Sequence, residues 1–124
     1  MTKGFKNLVA ARVLAIEAET GRRVLTSHTK RDLDAMLDYL NVMLLQSPTS
    51  LKVRVFKAIF EKCKGSHGLD VPIAAAEFLT ACGIRKAELI RKACVWLEER
   101  GLIYRLAHRP RNTRFAILVP PEAA

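Results

Sequence analysis

Basic side chains are concentrated in two short stretches of this sequence. The first stretch covers ten residues and has no acidic residue within it; it contains Arg105, His108, Arg109, Arg111 and Arg114. Like charges this close repel one another unless an anionic partner neutralises them. A basic loop that is merely solvated is the alternative, but the spacing favours contact with a polyanion.

The second stretch contains Arg85, Lys86, Arg91 and Lys92, with Glu88 among them. The whole chain has 21 Lys and Arg against 12 Asp and Glu, which gives a formal net charge of +9. Most of this surplus falls after Ser50, where 14 basic side chains face 7 acidic ones. Such a surplus favours nucleic acid as the partner, with an anionic membrane second.

Metal, redox and enzymatic chemistry have weaker support. The three cysteines, Cys63, Cys82 and Cys94, have no CxxC spacing and are odd in number, which indicates a reducing, cytoplasmic compartment. Cys63 and His67 stand four residues apart, and Cys82 and Cys94 fall on neighbouring helices, but no four ligands have recognisable spacing. Cysteine is also commonly a small buried hydrophobic residue. We therefore expect no enzyme, no metal and no cofactor.

Hydrophobic spacing predicts the elements that hold the basic side chains. Val53, Phe56, Ile59 and Phe60 predict a helix over 50–63. The apolar run 69–71 is compatible with a strand. Because proline suits a first helical position, we expect a helix from 73 to 81, after Pro72.

Two glycines separate the remaining elements. Gly83 predicts a tight turn, and Gly101 predicts the end of a helix over 85–100. The inward face of that helix is expected to comprise Leu89, Ile90, Ala93, Cys94 and Leu97. The β-prone runs 102–106 and 114–119 flank a loop with Pro and Asn, which predicts a hairpin. No apolar run reaches the ~18 residues that a membrane helix needs, so we expect no membrane association.

The first fifty residues leave one alternative open. Residues 5–26 fit either a helix or a hairpin between the runs 12–16 and 23–26, with a slight preference for the hairpin. The next helix is clearer, since Thr29 and Asp32 form a capping-box pattern. Its apolar stripe comprises Leu33, Met36, Leu37, Leu40, Met43 and Leu44. This stripe either packs within the chain or supplies a homodimer contact, and we favour the dimer.

Two segments resemble a known family. The segment 74–84, AAAEFLTACGI, resembles the first helix and turn of a bacterial helix-turn-helix. The segment 97–103, LEERGLI, resembles the junction between recognition helix and wing in winged-helix regulators of the MarR kind. The resemblance extends over about 51–119. It implies an α+β fold, with a winged helix-turn-helix domain at 50–119, a helical or hairpin-plus-helix extension at 1–49 and a tail at 120–124.

The resemblance also implies roles for the two basic stretches. Helix 85–100 is expected in the major groove of double-stranded DNA, with Arg85 and Lys86 at base edges or nearby phosphates and Glu88 accepting from a cytosine amine. Arg91 and Lys92 lie on the same helix. The wing, 103–118, is expected to contact the backbone or the minor groove through its basic side chains.

The function so implied is that of a sequence-specific transcriptional repressor, acting as a homodimer on inverted half-sites. A DNA-binding protein for plasmid or phage replication or maintenance is a first alternative. A winged helix used for protein interaction is a second, which the arginine-rich hairpin disfavours. The sequence indicates no operator, effector or regulated process.

Overall fold

A computed structural model describes residues 2–26, 29–63, 71–74, 80–108 and 112–120. The fold is mixed α+β, with helices packed around a small antiparallel sheet. The elements are α1 (Thr2–Thr20), β1 (Arg23–Val24), α2 (Lys30–Asp38), a π-helix (Tyr39–Met43), α3 (Leu51–Cys63), β2 (Val71–Ala74), α4 (Ala87–Glu99), β3 (Ile103–His108) and β4 (Asn112–Val119). Residues 80–82 are also helical.

The sheet is built around β4. Strand β3 pairs with one edge of β4, from Ile103 opposite Ile117 to His108 opposite Thr113. The other edge pairs with β2 over residues 112–115 of β4 and with β1 at its last two residues. All these pairings are antiparallel. The hairpin predicted near the end of the chain is therefore confirmed, and it gains two further strands.

Both faces of the second half of β4 are covered. Phe115, Ile117 and Val119 belong to the main hydrophobic core, which the helices α2, α3 and α4 share. Ala116 and Leu118, on the opposite face, pack in a second cluster with residues of α1 and β1. Because side chains alternate between the two faces of a strand, the continuous apolar run in β4 indicates burial on both sides.

Helix α1 settles the alternative left open for residues 5–26. The preference for a hairpin was wrong, because 12–16 is helical and only Arg23–Val24 form a strand, paired with β4. Ile16 of α1 is buried in the second cluster, with Val13 partly buried beside it. A hydrogen bond of 2.6 Å from the Tyr104 hydroxyl to Glu19 ties the end of α1 to β3. This bond raises the pKa of Tyr104, because a carboxylate acceptor stabilises the protonated phenol.

Helix α2 begins as predicted. The Asp32 amide donates to Thr29 Oγ1 and the Thr29 amide donates to Asp32 Oδ2, which completes the capping box. Met36 and Leu40 are buried in the main core. Leu44, the last residue of the expected stripe, still packs partly buried against this core, but the helix widens before it into a π-helix in which the Leu44 amide donates to Tyr39. Met43 leaves the stripe as a result and is 58 % exposed.

Two predicted boundaries in the second half of the chain were wrong. Pro72 does not open a helix, since β2 continues through it to Ala74 and Pro72 lies opposite Arg114. A proline is tolerated there because β2, among the described strands, pairs with β4 alone. The other edge of its backbone makes no ladder hydrogen bonds with those strands. Helix α4 begins at Ala87 rather than Arg85. Helix α3 forms where predicted, and its expected stripe is buried.

Candidate nucleic-acid interface

Helix α4 is held by its apolar face. Ile90, Ala93, Cys94 and Leu97 are buried in the main core with residues of α3. Gly83 precedes α4 with φ of +67°, and Gly101 follows it with φ of +72°. Glycine adopts this left-handed geometry without the steric penalty that other residues meet. The predicted turn and helix end are therefore confirmed, and together they fix the direction of α4.

The leading basic residues, Arg85 and Lys86, are both exposed and lie in the turn before α4. Lys86 is the N-cap residue, and its extended backbone makes no side-chain capping bond. Neither residue is thus committed to holding the helix start. Both residues lie ahead of the first turn of α4, at the end of a helix that favours a negatively charged ligand.

The outward face of α4 carries a small ion-pair cluster. Glu88 Oε1 lies 3.5 Å from Arg91 Nη2 and 4.0 Å from Lys92 Nζ. All three side chains are 62–67 % exposed. Ion pairs this exposed stabilise a protein by at most about 1 kcal/mol. Both cations can therefore exchange Glu88 for another anion at little cost.

Arg105 is more buried than the basic residues Arg91 and Lys92 of α4. Its Nη2 and Nε donate to Glu98 Oε2, at 2.6 and 3.2 Å, and the side chain is 25 % exposed. The acidic partner comes from α4 and not from the basic stretch itself, so the sequence stretch alone did not reveal it. This ion pair joins β3 to α4, which gives Arg105 a structural role. Its contact with DNA stays a prediction.

The rest of the predicted hairpin site is described only through its backbone. His108 lies opposite Thr113, and Arg114 lies between Ala107 of β3 and Pro72 of β2. A register shift between Arg105 and Ala107 marks a β-bulge in β3. Arg109 and Arg111 lie outside the described residues. The pairing brings the backbones of His108 and Arg114 to the same end of the hairpin.

Sequence reasoning missed a group of side chains that surround Trp96. Lys52 Nζ lies 4.9 Å from the centre of the Trp96 ring, and Arg100 Cζ lies 5.2 Å from it. A groove of about 390 Å³ opens beside this ring, between the beginning of α3 and α4. Its lining includes Leu51, Lys52, Leu89, Lys92 and Trp96. The sequence signal for this group was a basic residue, Lys52, off the apolar stripe of α3, and its side chain is half-buried beside the ring.

Arg54 was also missed, and it supports the turn before α4. Its Nη1 donates a 2.7 Å hydrogen bond to the carbonyl oxygen of Cys82, next to Gly83. A carbonyl at a helix end has no partner within its own helix. The bond therefore connects α3 to the end of the helical residues 80–82. A basic residue on the outward side of an amphipathic helix gave no indication of this contact.

The cysteines are buried and free. Burial raises the pKa of the Cys63 and Cys94 thiols to about 12. Burial also raises the pKa of Cys82, although the nearby Arg54 opposes part of that change. Thiols that stay protonated are poor nucleophiles and poor metal ligands. Within the described residues, no three His, Cys, Asp or Glu side chains group closely enough to hold a metal ion.

No helix in the described part of the chain has the length and apolar character needed to cross a bilayer. In comparisons with known proteins, no family model, no curated protein and no solved structure matches the chain.

Proposed function

We propose that this protein is a sequence-specific transcriptional regulator that binds double-stranded DNA through a winged helix-turn-helix. The observation that carries the proposal is the order and pairing of its elements. Helix α3, strand β2, the helical residues 80–82, the Gly83 turn, α4 and the β3–β4 hairpin follow one another, and β2 joins the hairpin sheet at β4. In a winged helix the second helix of the pair enters the major groove and the hairpin forms the wing.

The exposed charges support this placement of α4. Arg85 and Lys86 precede its first turn, and the N-terminal residues of a recognition helix are the ones that reach base edges. Arginine can donate two hydrogen bonds to guanine O6 and N7. We therefore assign Arg85 to base recognition and Lys86 to a base or a nearby phosphate.

The ion-pair cluster on α4 supplies the phosphate contacts in this mechanism. Arg91 and Lys92 release Glu88 when phosphates approach, since the exposed pairs hold them only weakly. Neutralising phosphates releases condensed counterions, which drives binding at low salt. Glu88, once released, is free to accept a hydrogen bond from a cytosine amine. The wing adds contacts to the backbone or minor groove, for which His108 and Arg114 occupy the far end of the hairpin.

We further propose that the protein acts as a homodimer through the segment after α2. The original stripe of α2 is largely used within the chain, since Met36 and Leu40 are buried. Val42, Met43 and Leu45 remain 58–83 % exposed instead. Replacing Val42 and Leu45 by serine is expected to shift sedimentation from dimer to monomer at micromolar concentration. A wild-type protein that sediments as a monomer at that concentration would remove the dimer from the proposal.

The experiment for DNA binding starts with selection of duplexes from a random pool, followed by affinity measurements across a range of salt concentrations. The wild type should show a linear fall of log affinity with log salt, at about 0.9 per phosphate contacted. The Arg91→Ala/Lys92→Ala variant should lose up to about 1.8 from that slope. The Lys30→Ala/Arg31→Ala variant removes the same charge from exposed positions at the start of α2 and serves as the matched control.

A separate variant tests base recognition in the same experiment. Arg85→Ala should reduce discrimination at one base pair by about 5- to 150-fold, which corresponds to roughly 1–3 kcal/mol. Its preference at other positions should be unchanged. If the pool yields no enriched duplex, or if the control variant lowers the slope as much as the α4 variant does, the proposed function is wrong.

A further inference from the structure

Leu89 is an exposed apolar side chain on a charged surface. It is 40 % exposed, and among the side chains that the structure describes after Ser50 it is the one large apolar side chain that is exposed. The sequence predicted that it faces inward, and that prediction was wrong. It precedes Ile90, which is 5 % exposed, and the two side chains point about 100° apart around the helix.

The surroundings of Leu89 keep it accessible. It lies in the first turn of α4, one residue after Glu88, and it forms part of one wall of the groove between α3 and α4. Lys52 and Lys92 border the same groove, and its described lining contains no acidic side chain. An apolar side chain framed by cations suits a ligand that is anionic overall but offers an apolar group at close range.

Duplex DNA presents such a group in the major groove. The base edges there are hydrogen-bond donors and acceptors except for the C5 methyl group of thymine. Contact between Leu89 and a polar edge would desolvate that edge without replacing its hydrogen bonds, which is unfavourable. Contact with a methyl group removes apolar surface from water on both sides and is favourable.

We propose that Leu89 is a specificity-determining residue that contacts a pyrimidine C5 methyl group in the major groove. The inference rests on the proposed function and names the chemistry that the helix recognises. Thymine and 5-methylcytosine both carry this group. The lysines bordering the groove contact the flanking phosphates, while Leu89 selects for the methyl group between them.

The test uses the full-length protein and the duplex obtained from selection. Each thymine is replaced in turn by deoxyuridine, which lacks only the methyl group. At one position per half-site the wild type should lose affinity by about fourfold, as expected for one buried methyl group. Leu89→Ala should bind the thymine duplex less tightly and should no longer distinguish thymine from deoxyuridine there.

Two further variants separate recognition from folding. Leu89→Met keeps an apolar side chain of similar size and should retain most of the thymine preference. Leu14→Ala truncates an exposed leucine outside α4 and should retain the full fourfold effect. Thermal unfolding of each variant checks that the fold is preserved.

The two sources of the methyl group are distinguished by replacing the sensitive base pair with C·G or with 5-methyl-C·G. A thymine duplex that binds most tightly identifies thymine, whereas a 5-methylcytosine duplex that binds most tightly identifies the methylated base. The proposal is overturned if deoxyuridine has less than a twofold effect at every position, or if Leu89→Ala keeps the wild-type ratio. A failed selection would instead contradict DNA binding itself.

Discussion

Gly101, at the junction between α4 and β3, is the position where a single methyl group should be most informative. It has φ of +72°, and a Cβ atom added there would lie 2.5 Å from Nε and 2.8 Å from Cζ of Arg22. Gly83, on the other side of α4, has nearly the same φ of +67° but no atom within 4 Å of its added Cβ. Alanine at Gly83 therefore measures backbone strain alone, whereas alanine at Gly101 measures the same strain together with steric overlap.

The expected free-energy changes follow from this geometry. Left-handed backbone costs an alanine about 1–2 kcal/mol, and the reduced freedom of the unfolded chain returns roughly 0.4–1 kcal/mol. Gly83→Ala should therefore lower the free energy of unfolding by about 1 kcal/mol. Gly101→Ala should add about 0.5–1 kcal/mol, because the overlap is with the flexible end of the Arg22 side chain, which can move aside. The total is then about 1.5–2 kcal/mol.

A double-mutant cycle in urea, followed by circular dichroism, measures the two contributions. With Arg22→Ala as the background the overlap is absent, so Gly101→Ala should cost only about 1 kcal/mol, as Gly83→Ala does. The coupling free energy between positions 22 and 101 should then be about 0.5–1 kcal/mol. Equal losses for Gly101→Ala in both backgrounds, or a loss no larger than that of Gly83→Ala, would refute the role assigned to Arg22.

Three shorter predictions concern the remaining charged and thiol groups. Arg105→Ala should lower the free energy of unfolding by about 1 kcal/mol, because its ion pair with Glu98 is lost. The salt slope of DNA binding should be unchanged. A slope lowered by about 0.9 would instead make Arg105 a phosphate contact. Glu88→Gln should raise affinity for most duplexes because it removes repulsion from phosphates, and should weaken the preference for cytosine at the one position where Glu88 accepts from the amine. An equal rise for every duplex would contradict the cytosine contact. Burial raises the pKa of Cys63 and Cys94 from 9.0 to about 12. Above pH 9 the unfolded state therefore loses these thiol protons while the folded state keeps them. The free energy of unfolding should fall by about 1.4 kcal/mol per thiol per pH unit until the folded thiols also ionise. Urea unfolding between pH 8 and 10.5 measures this fall, which Cys63→Ala should reduce by the contribution of one thiol. An unchanged pH dependence would contradict the assignment.

Local patterns were predicted well from the sequence because their causes are local. The capping box at Thr29 and Asp32 depends on residues three apart, and the turns at Gly83 and Gly101 depend on the conformational freedom of one residue. The buried stripe of α3 follows from helical periodicity alone. These features required no knowledge of the rest of the fold.

Features that depend on distant partners were not predictable. Arg23 pairs with Val119, so the β-prone run at 23–26 finds its partner at the other end of the chain and not in residues 12–16. Pro72 is accommodated because β2 lies at a sheet edge, which only the topology reveals. Periodicity gave a single inward face for α2 because it assumes 3.6 residues per turn, which the π-helix does not keep.

The candidate site also combines features that the sequence revealed with features that depend on the fold. The clusters of basic residues were visible as charge, and Arg85 and Lys86 are exposed as a contact role requires. The pairing of Arg105 with Glu98 depends on how β3 crosses α4, so counting charges within one stretch overlooked it. Leu89 was assigned inward because leucine is usually buried, and only its place beside the groove separates it from the core stripe.

The sharing of β4 by the two hydrophobic clusters has a consequence for how the protein unfolds. If α1 and β1 detached, Ala116 and Leu118 would be exposed to water. The edge of β4 that β1 covers could then pair with strands of other molecules. A chain shortened to begin near Leu51 should therefore aggregate rather than behave as an autonomous unit, and the intact chain should melt in one cooperative transition.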